Sequence, residues 1–142
     1  MKKIFKLLIA FFVLFSLSSC NPQGKEKSGI IGGTTYTVYE KLPYNQKYEV
    51  AVYIDKFHKL PSNYFSKSST KLSEWTEENL YAIGGDVFQN REGRLPKGKT
   101  YTECDIDSYH YNRGAKRIVF SNEYEIWYTG DHYKSFERIV IE

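Results

Sequence analysis

Thr100-Tyr101-Thr102-Glu103-Cys104-Asp105-Ile106, Ala115-Lys116-Arg117-Ile118-Val119-Phe120-Ser121 and Tyr124-Glu125-Ile126-Trp127-Tyr128-Thr129 are the runs that decide the fold. Each alternates with a period of two and is rich in β-branched and aromatic residues, the pattern of a half-buried strand. Ala82–Val87 upstream and Phe136–Ile141 downstream read the same way. The connections Asn90–Gly93, Asp107–Gly114, Ser121–Glu123 and Gly130–Ser135 carry the polar and glycine residues of turns. Before the strands, Val50, Tyr53, Ile54 and Phe57 fall at i, i+3, i+4 and i+7, which predicts an amphipathic helix over 46–57. Pro61 stops it, and Ser66 is placed to cap a second short helix running towards Trp75. Helices first and short-linked strands afterwards predict an α+β domain, with N-terminal helices packed on a roughly five-stranded antiparallel sheet.

Residues 1–19 join Lys2, Lys3 and Lys6 to an apolar run from Leu7 to Phe15, too short to span a bilayer as a helix and suited to an export signal. Leu17-Ser18-Ser19-Cys20 resembles the bacterial lipobox, so Cys20 is the expected lipidated first residue of a mature chain anchored to the membrane or cell surface, or secreted. The chain of 142 residues is +3 overall, but without those three lysines 17 bases face 17 acids. The basic balance belongs to the leader and says nothing of nucleic acid. With Cys20 acylated, Cys104 has no disulfide partner. Residues 20–43, polar and glycine-rich, read as a flexible tether, and 44–142 as the folded domain.

Gly93 to Thr100 matches a phosphate-binding loop literally, but a strand follows where that loop must open a helix, so the match carries no nucleotide site. No ligand spacing for a metal occurs among the scattered histidines, and no cofactor is expected. On the strand 100–106, Tyr101, Glu103 and Asp105 share one face, and antiparallel pairing brings Arg117 beside the two acids, with Arg113 entering from the loop. Two acids and two arginines on one sheet face suit an anionic substrate that must lose a proton; alone, they equally describe an ion-pair ladder. His132 adds a group that titrates near neutrality.

Three segments then carry a resemblance: His58-Lys59-Leu60-Pro61-Ser62-Asn63-Tyr64, the run from Ile83 to Pro96 that includes Asn90-Arg91-Glu92-Gly93, and Asp131-His132-Tyr133-Lys134-Ser135-Phe136. In order and spacing, from about Asn45 to Ile141, they resemble the barnase-like bacterial guanyl-preferring ribonucleases of the microbial ribonuclease family. That resemblance implies a metal-free endoribonuclease cutting RNA 3′ of guanosine, with Glu103 as general base and His132 as general acid. It implies that Lys67, Arg113 and Arg117 surround the scissile phosphate, that Asp105 orients the arginines, and that Tyr133 lies beside the histidine. Phe88, Gln89, Asn90, Arg91 and Glu92 would form the guanine site, backbone amides meeting O6 and the Glu92 carboxylate accepting from N1–H and N2–H. His58 would cap the first helix, His110 would lie in a surface loop, and Trp75 and Trp127 would pack the fold.

The chain departs from the family in being shorter between Trp75 and Ile83, and at Gln89, Cys104 and Asn112. A small acidic inhibitor protein is an expected partner, and the domain is expected to be monomeric. The competing reading is a non-catalytic envelope lipoprotein that binds an anionic polymer or protein through the same groove.

Overall fold

The computed structural model describes residues 22–108 and 112–142. The lipobox with Cys20, and His110, lie outside the described residues.

Helix α1 (Lys47–Phe57) forms where the helical spacing places it and ends at His58, whose left-handed φ of 56° turns the chain while its N–H still bonds Ile54 O. Behind it runs a six-stranded sheet in simple sequence order: β3 (Tyr64–Phe65), β4 (Ala82–Phe88), β5 (Tyr101–Asp105), β6 (Arg117–Ser121), β7 (Ile126–Thr129) and β8 (Glu137–Ile139). The five predicted strands are all present and pair with one another antiparallel throughout. The sixth, β3, is parallel to β4 and two residues long, too short to leave a period in the sequence. The second helix is a single 3-10 turn (Thr70–Glu74), capped by Ser69 and not by Ser66.

Two cores flank the sheet. On one face Val50, Tyr53 and Ile54 of α1 pack with Cys104, Ile118, Phe120 and Ile126. On the other, Leu95, Tyr101, Val119 and Trp127 form a smaller aromatic cluster, edged by Phe88, Tyr133 and Phe136. Trp127 therefore packs the fold, as expected.

The tether expected over 20–43 is not what the structure shows. Glu26–Ile31 (β1) and Thr34–Tyr39 (β2) form an antiparallel hairpin turning on Gly32 and Gly33, with φ of +56° and +83°. Two left-handed residues in a two-residue loop are the turn whose twist matches paired strands, and glycine adopts both at little cost. Pairing continues below the strands, Glu40 N–H donating to Lys25 O and Lys41 N–H to Gln23 O. Ile30 and Glu142 exchange both backbone hydrogen bonds, which ties the hairpin to the chain's end. Val38 is 0% exposed and belongs to the main core. A Cβ at Gly29 would come within 2.6 Å of Ile141 Cγ2 and 3.3 Å of both Val52 methyls, so this glycine is there for close approach. The hairpin also explains why Ala51 and Val52, off the predicted apolar stripe, are buried: α1 is covered on two sides.

Candidate active site

The second face of the sheet carries the site. A β-bulge between Gly84 and Asp86, at Gly85 (φ +103°), shifts the β4–β5 register so that Asp86 lies opposite Glu103. Asp86 Oδ2 accepts from the backbone N–H of Lys67 at 3.0 Å, which brings the exposed Lys67 to the same side. Glu103 reaches the floor of a cleft of about 250 Å³ walled by the turn after β4 and by Tyr133 and Phe136. Its Oε2 accepts from the Tyr133 hydroxyl at 2.9 Å. Burial first, and then the neighbouring Glu103 charge, push the Tyr133 phenol up to about 12, so it is a proton donor to that carboxylate throughout the neutral range.

Asp105 sits two residues further along the same face, opposite Arg117 in the β5–β6 register. Its side chain is 2% exposed. It receives Arg113 in a fork, Nε to Oδ2 at 2.8 Å and Nη2 to Oδ1 at 2.9 Å. That pairing raises the Arg113 pKa further and leaves its side chain 40% exposed at the site's edge. Arg117 is more deeply set than a phosphate-facing cation was expected to be, at 3% exposure. Its Nε stands 3.0 Å from Asp105 Oδ1, without the alignment of a hydrogen bond. Its Nη1 donates to the carbonyls of Lys116, Gly114 and Arg113 at 2.8, 3.2 and 3.5 Å. The guanidinium lies 6.0 Å from the centre of the Tyr133 ring.

The turn after β4 is shaped by Asn90 (φ 51°), whose side chain is spent on the loop: Oδ1 accepts from Leu95 N–H at 3.1 Å and Nδ2 donates to Leu95 O at 2.9 Å. Gln89, Arg91 and Glu92 remain exposed along the cleft, and Phe88 closes it by stacking on Tyr133, centroids 5.2 Å apart. His132 is exposed at the rim, its ring 4.9 Å from that of Tyr133. The structure thus gathers Phe88, Gln89, Asn90, Arg91, Glu92, Glu103 and Tyr133 around one cleft. It pairs Arg113 and Arg117 with Asp105, sets His132 beside Tyr133, and ties Lys67 to Asp86 through its backbone N–H.

A family profile described as ribonuclease matches residues 47–140. This chain belongs to the ribonuclease family. A ribonuclease of Heyndrickxia coagulans is 43% identical over 100 residues, covering 63% of this chain and 92% of that protein. A ribonuclease of Bacillus intermedius is also 43% identical over 100 residues, covering 62% of its length. Guanyl-specific ribonuclease Sa3 of Kitasatospora aureofaciens is 46% identical over 63 residues, 42% of this chain and 45% of that protein. The hairpin lies outside the residues 47–140 that the profile matches, and the non-catalytic reading loses its ground.

Sequence reasoning passed over three residues of this ribonuclease's site. Arg94 lines the cleft, pairs through Nη1 with Glu92 and donates to Tyr133 O at 3.0 Å, cross-bracing the two loops. Its position two residues beyond Glu92 was the available signal. Asp86 depends on a bulge, which alternation alone does not disclose. Asp131 precedes the histidine and has Ser135 four residues on, the local spacing at which a carboxylate can bond a turn. Cys104, by contrast, is buried, unpaired and chemically remote, its thiol pushed far up by burial.

Proposed function

We propose that the ribonuclease cleaves RNA on the 3′ side of guanosine by transesterification, using Glu103 as base and His132 as acid. Glu103 takes the proton of the ribose 2′-OH, the oxygen attacks phosphorus, and His132 protonates the departing 5′-oxygen. The 2′,3′-cyclic phosphate that results is hydrolysed by water with the two roles exchanged. Lys67 and Arg113 offer open cations to the phosphoryl oxygens, and Arg117 adds its charge from beneath Tyr133.

The observation that carries the reading is a single cleft holding both a candidate base and a candidate base-recognition loop. Glu103, hydrogen-bonded to Tyr133, and Glu92, in the turn after β4, both line it. A carboxylate facing two adjacent N–H donors meets what guanine presents on its Watson–Crick edge and adenine does not. In the present arrangement Glu92 pairs with Arg94, so guanine would enter by sharing or displacing that partner.

The test is cleavage of defined dinucleotides in EDTA. Expected are a cyclic phosphate intermediate, preference for GpN over ApN that Glu92→Gln removes, no cleavage of 2′-deoxy linkages, and a bell-shaped pH profile. Glu103→Gln and His132→Gln should each lower kcat by roughly 10²–10⁴-fold. Full activity in Glu103→Gln would reject the mechanism. The reading extends to an exported chain acylated at Cys20, supported by the lipobox resemblance, and fatty-acid labelling that Cys20→Ser abolishes would test it. It also includes a monomeric domain and an acidic inhibitor protein that covers Lys67, Arg91 and Arg113, binding with strong salt dependence.

A further inference from the structure

Asp131 takes no part in the chemistry above, yet it lies at the centre of the loop that carries the acid. His132 and Tyr133 have φ of 55° and 71°, two consecutive left-handed residues, neither of them glycine. Such residues cost of order 1–3 kcal/mol each, and they persist only where the surroundings over-determine them. Here one carboxylate supplies much of that determination. Asp131 Oδ1 accepts from Thr129 Oγ1 and from the backbone N–H of Ser135, both at 2.9 Å. Its Oδ2 accepts from Ser135 Oγ at 2.6 Å. Thr129 Oγ1, fixed in this way at the end of β7, accepts from Tyr133 N–H at 3.0 Å. The His132 N–H is tied separately to Ala115 O at 3.2 Å. These donors hold the Asp131 carboxyl at about 2, Ser135 contributing most, so the group is a full anion at any working pH.

We propose that Asp131 is a positioning residue for catalysis: its carboxylate clamps the loop from Thr129 to Ser135 and thereby sets where His132 and Tyr133 stand over the cleft. The inference rests on the reading of His132 as the general acid. Guanine recognition is made by the turn after β4, which meets the clamped loop at Tyr133 through the Phe88 stack and the Arg94 bond to Tyr133 O. Loss of the clamp is therefore felt more in kcat than in KM. A displacement of about 1 Å in a reacting group costs on the order of 10²-fold, which bounds the effect.

The experiment measures kcat and KM for a GpN dinucleotide in the wild type, Asp131→Ala, Ser135→Ala and His132→Gln, and in the double variant Asp131→Ala/His132→Gln. Expected are a loss of roughly 10–100-fold in kcat for Asp131→Ala with a smaller rise in KM, and a smaller loss of kcat for Ser135→Ala, which keeps the Ser135 amide contact. In the His132→Gln background the same Asp131 change should cost several-fold less than in the wild type, because the acid is gone and only the part acting through Tyr133 and Glu103 remains. Wild-type kcat in Asp131→Ala and Ser135→Ala, with His132→Gln crippled, overturns the positioning role and leaves the acid assignment standing. An equal loss in both backgrounds also overturns it, as general damage to the fold. Full activity in His132→Gln removes the acid assignment and this inference with it.

Discussion

Replacing Asp105 by Asn keeps the side chain's size and removes its charge, and the two arginines bound to it respond differently. Arg117, at 3% exposure, loses its paired carboxylate and stays buried, while Arg113 can turn towards water from its 40% exposed position. Removing one partner of a buried pair costs about 3–5 kcal/mol, since the surviving charge stays desolvated. The amide keeps one acceptor, and three carbonyls at 2.8–3.5 Å already solvate Arg117 Nη1, so the loss should lie near the lower end, about 3 kcal/mol. With total stability of about 5–15 kcal/mol, that is a fifth or more of the whole. Urea unfolding followed by tryptophan fluorescence should show the midpoint falling by about 1–3 M with the slope unchanged, at roughly 1–3 kcal/mol per molar for the slope. Asp105→Asn/Arg117→Met should recover much of the loss, because the buried charge left without its carboxylate is then gone as well. A loss under about 1 kcal/mol would refute the reasoning, by showing that the carbonyls alone suffice for the arginine.

Val38→Ala should cost about 2–3 kcal/mol in urea unfolding, and a chain starting at Tyr44 should be far less stable than one starting at Pro22, since it uncovers Val52 and Ile141. Equal stability of the two chains would show that the hairpin packs without consequence. The Asp131 carboxyl is held at about 2, below its ordinary 3.8, so its contribution to loop order is complete above the ordinary value and fades as pH falls through about 2. Hydrogen exchange at the Ser135 amide should quicken over that window in the wild type and be fast at neutral pH in Asp131→Ala. Cys104 should resist iodoacetamide in the native protein and react on unfolding, as a buried thiol with a raised pKa must.

The sheet was legible because alternation is a local property: Ile118 and Phe120 had to face the helix, and that alone put Arg117 on the side of Glu103 and Asp105. How deep Arg117 sits was not legible, because its burial depends on Tyr133, sixteen residues away, folding back across it. The hairpin is hidden for a related reason. Gly29, Gly32 and Gly33 count as flexibility in a composition, whereas two of them make a tight turn and the third admits Ile141 and Val52. The signal for a strand lay in Thr34–Tyr39, β-branched and aromatic with Tyr36 and Val38 alternating onto one face. Asn90 marks a further limit, since its place in a recognition loop does not disclose that its amide closes the loop instead of facing a ligand.

The hairpin also sets a length. Backbone pairing already engages Gln23, so three peptide units separate the folded chain from Cys20, a contour of about 10 Å at full extension. The tether expected over 20–43 would have allowed about 80 Å. A domain of this size has a radius of gyration near 14 Å, so its own body is wider than its leash. Acylated at Cys20, such a molecule would be moored at the bilayer and unable to swing out from it, and its encounters with RNA would be confined to strands that come within one domain's width of the surface.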